Sequence, residues 1–193
     1  MKSAPKAKTP RPRKIVSVFS GNVIQVTGIA LGSLLLWISV QPGSTGVRIS
    51  AMIGGYLLIY FNSHSLMHYS IGGLTGIDFK HYSIGGSSHA SSYPPVVRSI
   101  FERLPFFSAH TDPSSMKKAP RYAKALMFVA GITGTVLFCT VASFWIYRAD
   151  TPGGSGLLIF NMIWQTSSLI AEIQPSGDLG KAFKIMKTTT KPN

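Results

Sequence analysis

The chain alternates long uncharged apolar runs with short polar or basic connections. Ile15 to Val40 holds no Asp, Glu, Lys, Arg or His over 26 residues. At about 1.5 Å rise per residue, that run exceeds a hydrocarbon core of roughly 30 Å. It is too long for the apolar region of a secretory signal peptide, so it predicts a retained anchor. Ile49 to Ile71 is a second run, apolar in its first two-thirds and polar where Asn62, His64 and His68 occur. Ala125 to Tyr147 is a third, 23 residues without a charge, and Ser155 to Ile173 a fourth that carries Asn161, Gln165 and Glu172. Polar groups in lipid need internal partners, so the fourth helix is expected to face its neighbours. The pattern predicts an all-α fold, a polytopic membrane helix bundle with about four transmembrane helices over 15–40, 49–71, 125–147 and 155–173. A basic, disordered arm (1–14) precedes it, a long loop (72–124) interrupts it and a basic tail (174–193) comes after it.

Charge then orients the spans. The chain has 19 Lys and Arg against 6 Asp and Glu, a net charge of +13, yet only 13% of its residues are charged and its mean hydropathy is +0.24. Cytoplasmic flanks of membrane helices carry the Lys and Arg excess. With alternating spans and both termini inside, seventeen of the nineteen basic residues fall on one side, leaving only Arg48 and Arg148 on the other. The expected location is a membrane, as a multi-pass protein, and the plasma membrane if the source is prokaryotic. Basic charge spread over helix flanks, with no basic aromatic face or binding motif, argues against nucleic acid as a partner. The expected partners are the bilayer itself and anionic lipid headgroups near the basic flanks, with the cytoplasmic loop as the place for a protein partner.

That loop is long for a structureless connection. HYSIGG occurs in it twice, at His68 to Gly73 and at His81 to Gly86, which suggests a small hairpin with Leu74 to Lys80 between the copies. Val97, Ile100, Phe101 and Leu104 then fall at i, i+3, i+4 and i+7 within Pro94 to Phe107, the pattern of an interfacial amphipathic helix.

All five histidines, His64, His68, His81, His89 and His110, lie between residues 64 and 110. On a continuous helix His64 and His68 project from one face. Two histidines so spaced supply half of a tetrahedral zinc site, which needs a third protein ligand. They serve equally as helix-end groups bonded to backbone carbonyls. Two carboxylates, Glu172 and Asp178, return to the same side of the membrane at the end of the fourth span.

His64-Ser65-Leu66-Met67-His68 within a membrane helix, followed by a Gly-Gly segment and, two spans later, by an acidic residue past a proline, resembles the metal-site layout of site-2-type intramembrane metalloproteases. In that family the helix motif is HExxH, with two zinc-binding histidines and a glutamate as general base on the metal-bound water. The resemblance implies zinc, or another divalent metal, held by His64, His68 and Asp178. Glu172, Ser65, His81 and Asn161 then stand as neighbouring groups or alternative ligands. Ser65 occupies the glutamate position. A neutral hydroxyl does not accept a proton from metal-bound water as a carboxylate does, so a loss of roughly 10²- to 10⁴-fold is expected, and peptidase activity with it.

Two alternatives stand beside this reading. One is a non-enzymatic accessory membrane subunit binding a partner through its cytoplasmic loop. The other is a membrane enzyme of other metal-dependent chemistry, with Glu172, Asp78 or a loop histidine as base. Gly28 and Gly32 on the first span and Gly131, Gly134 and Thr135 on the third permit close helix contact. Asn161 and Gln165, one turn apart, suit hydrogen bonds across the bundle. Cys139, the single cysteine, lies mid-span and reads as a small apolar residue. No GxSxG, P-loop or GxGxxG pattern occurs.

Overall fold

The computed structural model describes residues 14–86, 98–99 and 102–187. Among these the element order is β1 (Lys14–Val16), α1 (Val18–Val40), α2 (Thr45–Leu74), β2 (Phe79–Gly85), β3 (Phe106–Thr111), α3 (Pro113–Lys118), α4 (Arg121–Arg148), α5 (Gly154–Glu172) and α6 (Asp178–Lys187). The molecule is mainly helical, and each of the four apolar runs contains one helix. Two of these, α1 and α4, are long and apolar enough to cross a membrane. Both turn large apolar side chains outward, among them Phe19, Leu31 and Trp37 on α1 and Leu137, Val141 and Phe144 on α4.

The central helix is α2, flanked by α1 and α4. Small residues set the α1–α2 distance. A Cβ on Gly28 would lie 2.4 Å from Asn62 Nδ2, and one on Gly32 2.9 Å from the Gly55 carbonyl oxygen, so this GxxxG serves packing within the chain. Leu36, Met52, Tyr56, Ile59, Cys139, Ala142, Ile146 and Leu157 form the buried core between the helices. Polar side chains in this interior find one another. The Tyr56 hydroxyl donates to Asn161 Oδ1 at 2.7 Å, Gln165 Nε2 donates to the same oxygen at 3.3 Å, and Asn161 Nδ2 donates to Thr140 Oγ1 at 3.3 Å.

A three-stranded antiparallel sheet, order β1-β2-β3, lies at the end of the bundle where α1 begins and α2 ends. This is an addition to the all-α expectation. Lys14, read as the end of the basic arm, and Ile15 and Val16, read as the start of the first span, form β1 instead and pair with β2 (Lys14 with Ile84, Val16 with Tyr82). The helix begins only after Ser17, whose Oγ accepts the Ser20 N–H as an N-cap. On the other edge β2 pairs with β3, Tyr82 opposite Ala109 and Gly85 opposite Phe106. Tyr82 is fully buried beneath α1 at Gly21, and its hydroxyl donates to Asn22 Oδ1 at 2.7 Å.

The sheet overturns the hairpin expected between the two HYSIGG copies. The first copy, His68–Gly73, is the end of α2; the second, His81–Gly86, makes up most of β2. The same six residues take two conformations because the copies differ in the residues behind them and in the elements that cover them. After the first copy, Gly76 adopts a positive φ of 81°. Its N–H bonds the Gly73 carbonyl and that of Ile77 bonds the Gly72 carbonyl, closing the helix with a Schellman turn and burying Ile77. In the second copy Tyr82 is pinned under α1, and strand pairing on both edges takes up the backbone groups.

The amphipathic helix expected over 94–107 is helical at Arg98–Ser99 and Glu102–Arg103, while Val97, Ile100 and Phe101 of its stripe lie outside the described residues. Its last two residues are corrected: past Pro105, Phe106 and Phe107 belong to β3, packed against Phe61 and Tyr82 respectively. The segment read as a basic tail contains α6, which packs on α4. The arm before Lys14 and residues beyond Lys187 lie outside the described residues.

Candidate metal centre

The end of α2 that meets the sheet also meets the start of α6. His64 and His68, one turn apart, are joined there by Asp178, the first residue of α6. His68 Nε2 lies 3.1 Å from His64 Nε2 and 2.9 Å from Asp178 Oδ2, and His64 Nε2 lies 3.2 Å from the same oxygen. The group can hold a metal ion. Asp178 is 7% exposed.

The surrounding bonds orient each of these side chains. His68 Nδ1 lies 2.7 Å from the Met127 carbonyl oxygen of α4. A carbonyl only accepts, so Nδ1 carries the proton, and in the neutral ring Nε2 is a lone pair aimed at the cluster. His64 Nδ1 lies 3.4 Å from Thr135 Oγ1, whose own proton goes to the Gly131 carbonyl at 3.0 Å. This gives His64 the same tautomer. Two imidazole lone pairs and a carboxylate oxygen then converge within about 3 Å, an arrangement that needs a proton or a cation between its members.

Asp178 is tied down on its other side. Oδ1 accepts from Lys181 Nζ at 2.9 Å, and its backbone N–H donates to Glu172 Oε2 at 2.5 Å. Lys181 Nζ also lies 5.3 Å above the Phe128 ring. With a proton between the members in place of a metal ion, burial pushes the Asp178 carboxyl up, but hydrogen bonds and charge from the His64 and His68 side outweigh it and hold the group below the usual carboxylate range.

The cluster opens into a cavity of about 310 Å³ whose lining includes Ser65, Phe107, Phe128, Gln165, Glu172 and Lys181. Ser65, the residue after His64, does not lend its hydroxyl to the cluster: Oγ donates to the Phe107 carbonyl and ties α2 to β3. Glu172 lines the cavity while capping α6. Asn161 is engaged with Tyr56, Thr140 and Gln165 inside the bundle. His81 stands apart from the cluster, stacked on His110 at 4.6 Å between ring centroids. His89 lies outside the described residues.

Three contributors are hard to see in the sequence. The Met127 carbonyl and Lys181 act through contacts that no motif announces. Gly131 reads only as part of a small-residue face, yet a Cβ there would sit 2.2 Å from His68 Nε2. The α4 glycine is the space in which the second histidine ring lies. Comparison of the chain with protein-family models, with curated proteins and with solved structures finds no match.

Proposed function

We propose that the protein is a multi-pass membrane metalloprotein of the site-2-protease type that binds one zinc ion through His64, His68 and Asp178 and lacks peptidase activity. The observation that carries this reading is the convergence of the two Nε2 atoms and Asp178 Oδ2 at 2.9 to 3.2 Å. A tetrahedral zinc with bonds of about 2.0 to 2.1 Å spaces its ligands about 3.3 Å apart, so these separations fit three corners of such a site and leave the fourth toward the cavity. The orienting bonds on both imidazoles, from Met127 and Thr135, are those that metal-ligating histidines use.

Zinc in such a site supplies a Lewis acid and a water that ionises near neutral pH. The contribution of this chain's own residues decides the outcome. Ser65 cannot hold a proton as a carboxylate does, and its hydroxyl is committed to β3. The HExxH-type proton transfer therefore lacks its base, which favours a metal-binding role without proteolysis.

The four-span topology with both termini on the cytoplasmic side, in the plasma membrane of a prokaryotic source, belongs to the same reading. It is supported by the outward apolar side chains of α1 and α4 and by the order of charges in the sequence, since alternating spans put seventeen of the nineteen basic residues on one side. The decisive experiment is elemental analysis of the chain purified in mild detergent without chelators. About one zinc per chain is expected, and His64→Ala, His68→Ala and Asp178→Ala should each lose it. A metal-free, folded, unstripped sample would overturn the reading.

A further inference from the structure

Resting on that membrane reading, we propose that α6 docks on an anionic lipid surface and that this docking holds Asp178 in place beside the two histidines. The helix has ten residues, well short of the 12 to 15 or so at which an isolated helix becomes even marginally stable in water. One face is used by the protein: Asp178 and Ala182 are buried, and Ile185 is half-buried. Two large apolar side chains are left outside that face, Phe183 at 57% exposure and Met186 at 58%. At 100° per residue they lie about 60° apart on one flank of the helix. Lys184 and Lys187, also about 60° apart, come next on the side away from the protein.

An apolar flank beside a basic one is the pattern of a helix lying in the plane of a lipid interface, the rings and thioethers among acyl chains and the ammonium groups at phosphates. The place in the fold agrees. The helix comes after the last apolar run and a short turn, and the end of that run is itself outward-facing at Ile170 and Ile173. It also lies at the end of the molecule where the basic residues gather. A lipid surface therefore fits both the apolar and the charged flank, whereas bulk water fits only the second.

The link to the metal cluster is covalent. Asp178 is the first residue of α6, and the turn before it is tight. A Cβ on Gly177 would meet the Glu172 carbonyl oxygen at 2.4 Å and one on Gly180 the Gln174 carbonyl oxygen at 2.0 Å. A helix held by this turn at one end and by lipid along its flank cannot swing without moving the carboxylate.

The test uses the full chain with Cys139→Ala and single nitroxide labels at Phe183→Cys, Lys184→Cys or Met186→Cys, in vesicles of phosphatidylcholine alone or with about 30 mol% phosphatidylglycerol. On anionic vesicles labels at 183 and 186 should be reached by oxygen and shielded from a water-soluble nickel chelate, with 184 the reverse. Labels at 183 and 186 that stay open to the chelate on anionic vesicles would overturn docking, and with it a lipid rather than a protein occupant. In parallel, Lys184→Glu with Lys187→Glu should weaken zinc binding about tenfold on anionic vesicles and leave it unchanged on phosphatidylcholine. Equal affinities on both would overturn the coupling. Absence of zinc from every sample would overturn the metal reading and the coupling together, while label depth, which needs no metal, still decides docking.

Discussion

Replacing Gly131 by alanine perturbs the centre without touching a ligand. The new Cβ would stand 2.2 Å from His68 Nε2, 2.4 Å from Cε1 and 2.7 Å from Cδ2. Ordinary contact begins at 3.4 Å, so the ring must retreat by about 1.2 Å. It cannot do so and keep its bond, because Nδ1 is held by the Met127 carbonyl from the same helix at 2.7 Å. Plausible metal sites keep their bond lengths within about 0.2 Å of the standard values. The retreat is several times that, and loss of an orienting partner alone costs about 10- to 100-fold in affinity. Gly131→Ala is therefore expected to weaken zinc binding at least 100-fold. The fold should survive: alanine is favoured over glycine in a helix by roughly 1 kcal/mol, against an overpacking cost of about 1 to 3 kcal/mol. The assay is competition with a chromophoric chelator, alongside thermal unfolding. Gly156→Ala, where a Cβ meets nothing within 4 Å, is the control. A folded Gly131→Ala chain that holds zinc as tightly as the control would refute the reasoning.

Ser65→Ala should leave zinc binding intact but lower stability by about 1 to 3 kcal/mol, because the Phe107 carbonyl loses its donor at a site where Ser65 is 2% exposed; denaturant melts and increased protease nicking near residue 107 would register it. Ser65→Glu should displace β3 for want of room rather than restore proteolysis, and the readout is cleavage of a generic membrane-peptide substrate. Burial first, and then the neighbouring His81, holds the His110 imidazole below the ordinary value of 6.5. The unfolded chain then takes up a proton that the folded one resists, so this contribution is complete above about pH 6.5 and is lost as pH falls toward the folded value. Unfolding followed from pH 8 to pH 5 should be less steep in His110→Gln than in the parent. Tyr56→Phe removes the 2.7 Å bond to Asn161 in the bundle interior and should cost about 0.6 to 1.7 kcal/mol, measured as a shift in unfolding in detergent.

How much of this was legible depends on the range over which each signal acts. Long uncharged runs reveal helices because length and apolarity alone specify them, and the helices over 49–71 and 125–147 needed no tertiary information, although each extends past its run into charged residues, to Thr45–Leu74 and Arg121–Arg148. The meeting of His64 and His68 with Asp178 was also legible in outline, since helices that alternate in direction return sequence-distant residues to the same end. Structure decided by a partner resisted. Ile15 and Val16 read as the start of a span because they are apolar, and only pairing with Ser83 and Tyr82 makes them a strand. HYSIGG shows the limit most clearly, being helix where Gly76 closes the turn behind it and strand where Tyr82 lies under α1. The helix α6 left a local trace, Leu179, Ala182, Phe183 and Met186 recurring at helical spacing between lysines, but two nearby glycines and a high charge masked it as tail.

Gly131 carries the general lesson about sites of this kind. Small residues on a membrane helix mark where something comes close, and pattern alone assigns that closeness to helix packing. Gly28 and Gly32 fit that assignment, meeting Asn62 and Gly55 of α2. Gly131 obeys the same pattern but admits an imidazole, and the carbonyl one turn before it, Met127, supplies the acceptor that sets the tautomer of that ring. One turn of α4 therefore provides both the room for a ligand and the bond that aims it. Substitutions at Gly131 and at His68 should accordingly be non-additive in stability, because the Cβ added at Gly131 meets the His68 ring at 2.2 Å; in a double-mutant cycle read by unfolding of the metal-free chain, Gly131→Ala should carry its overpacking cost beside His68 and lose it in a His68→Ala background, and full additivity would mean that the glycine acts elsewhere.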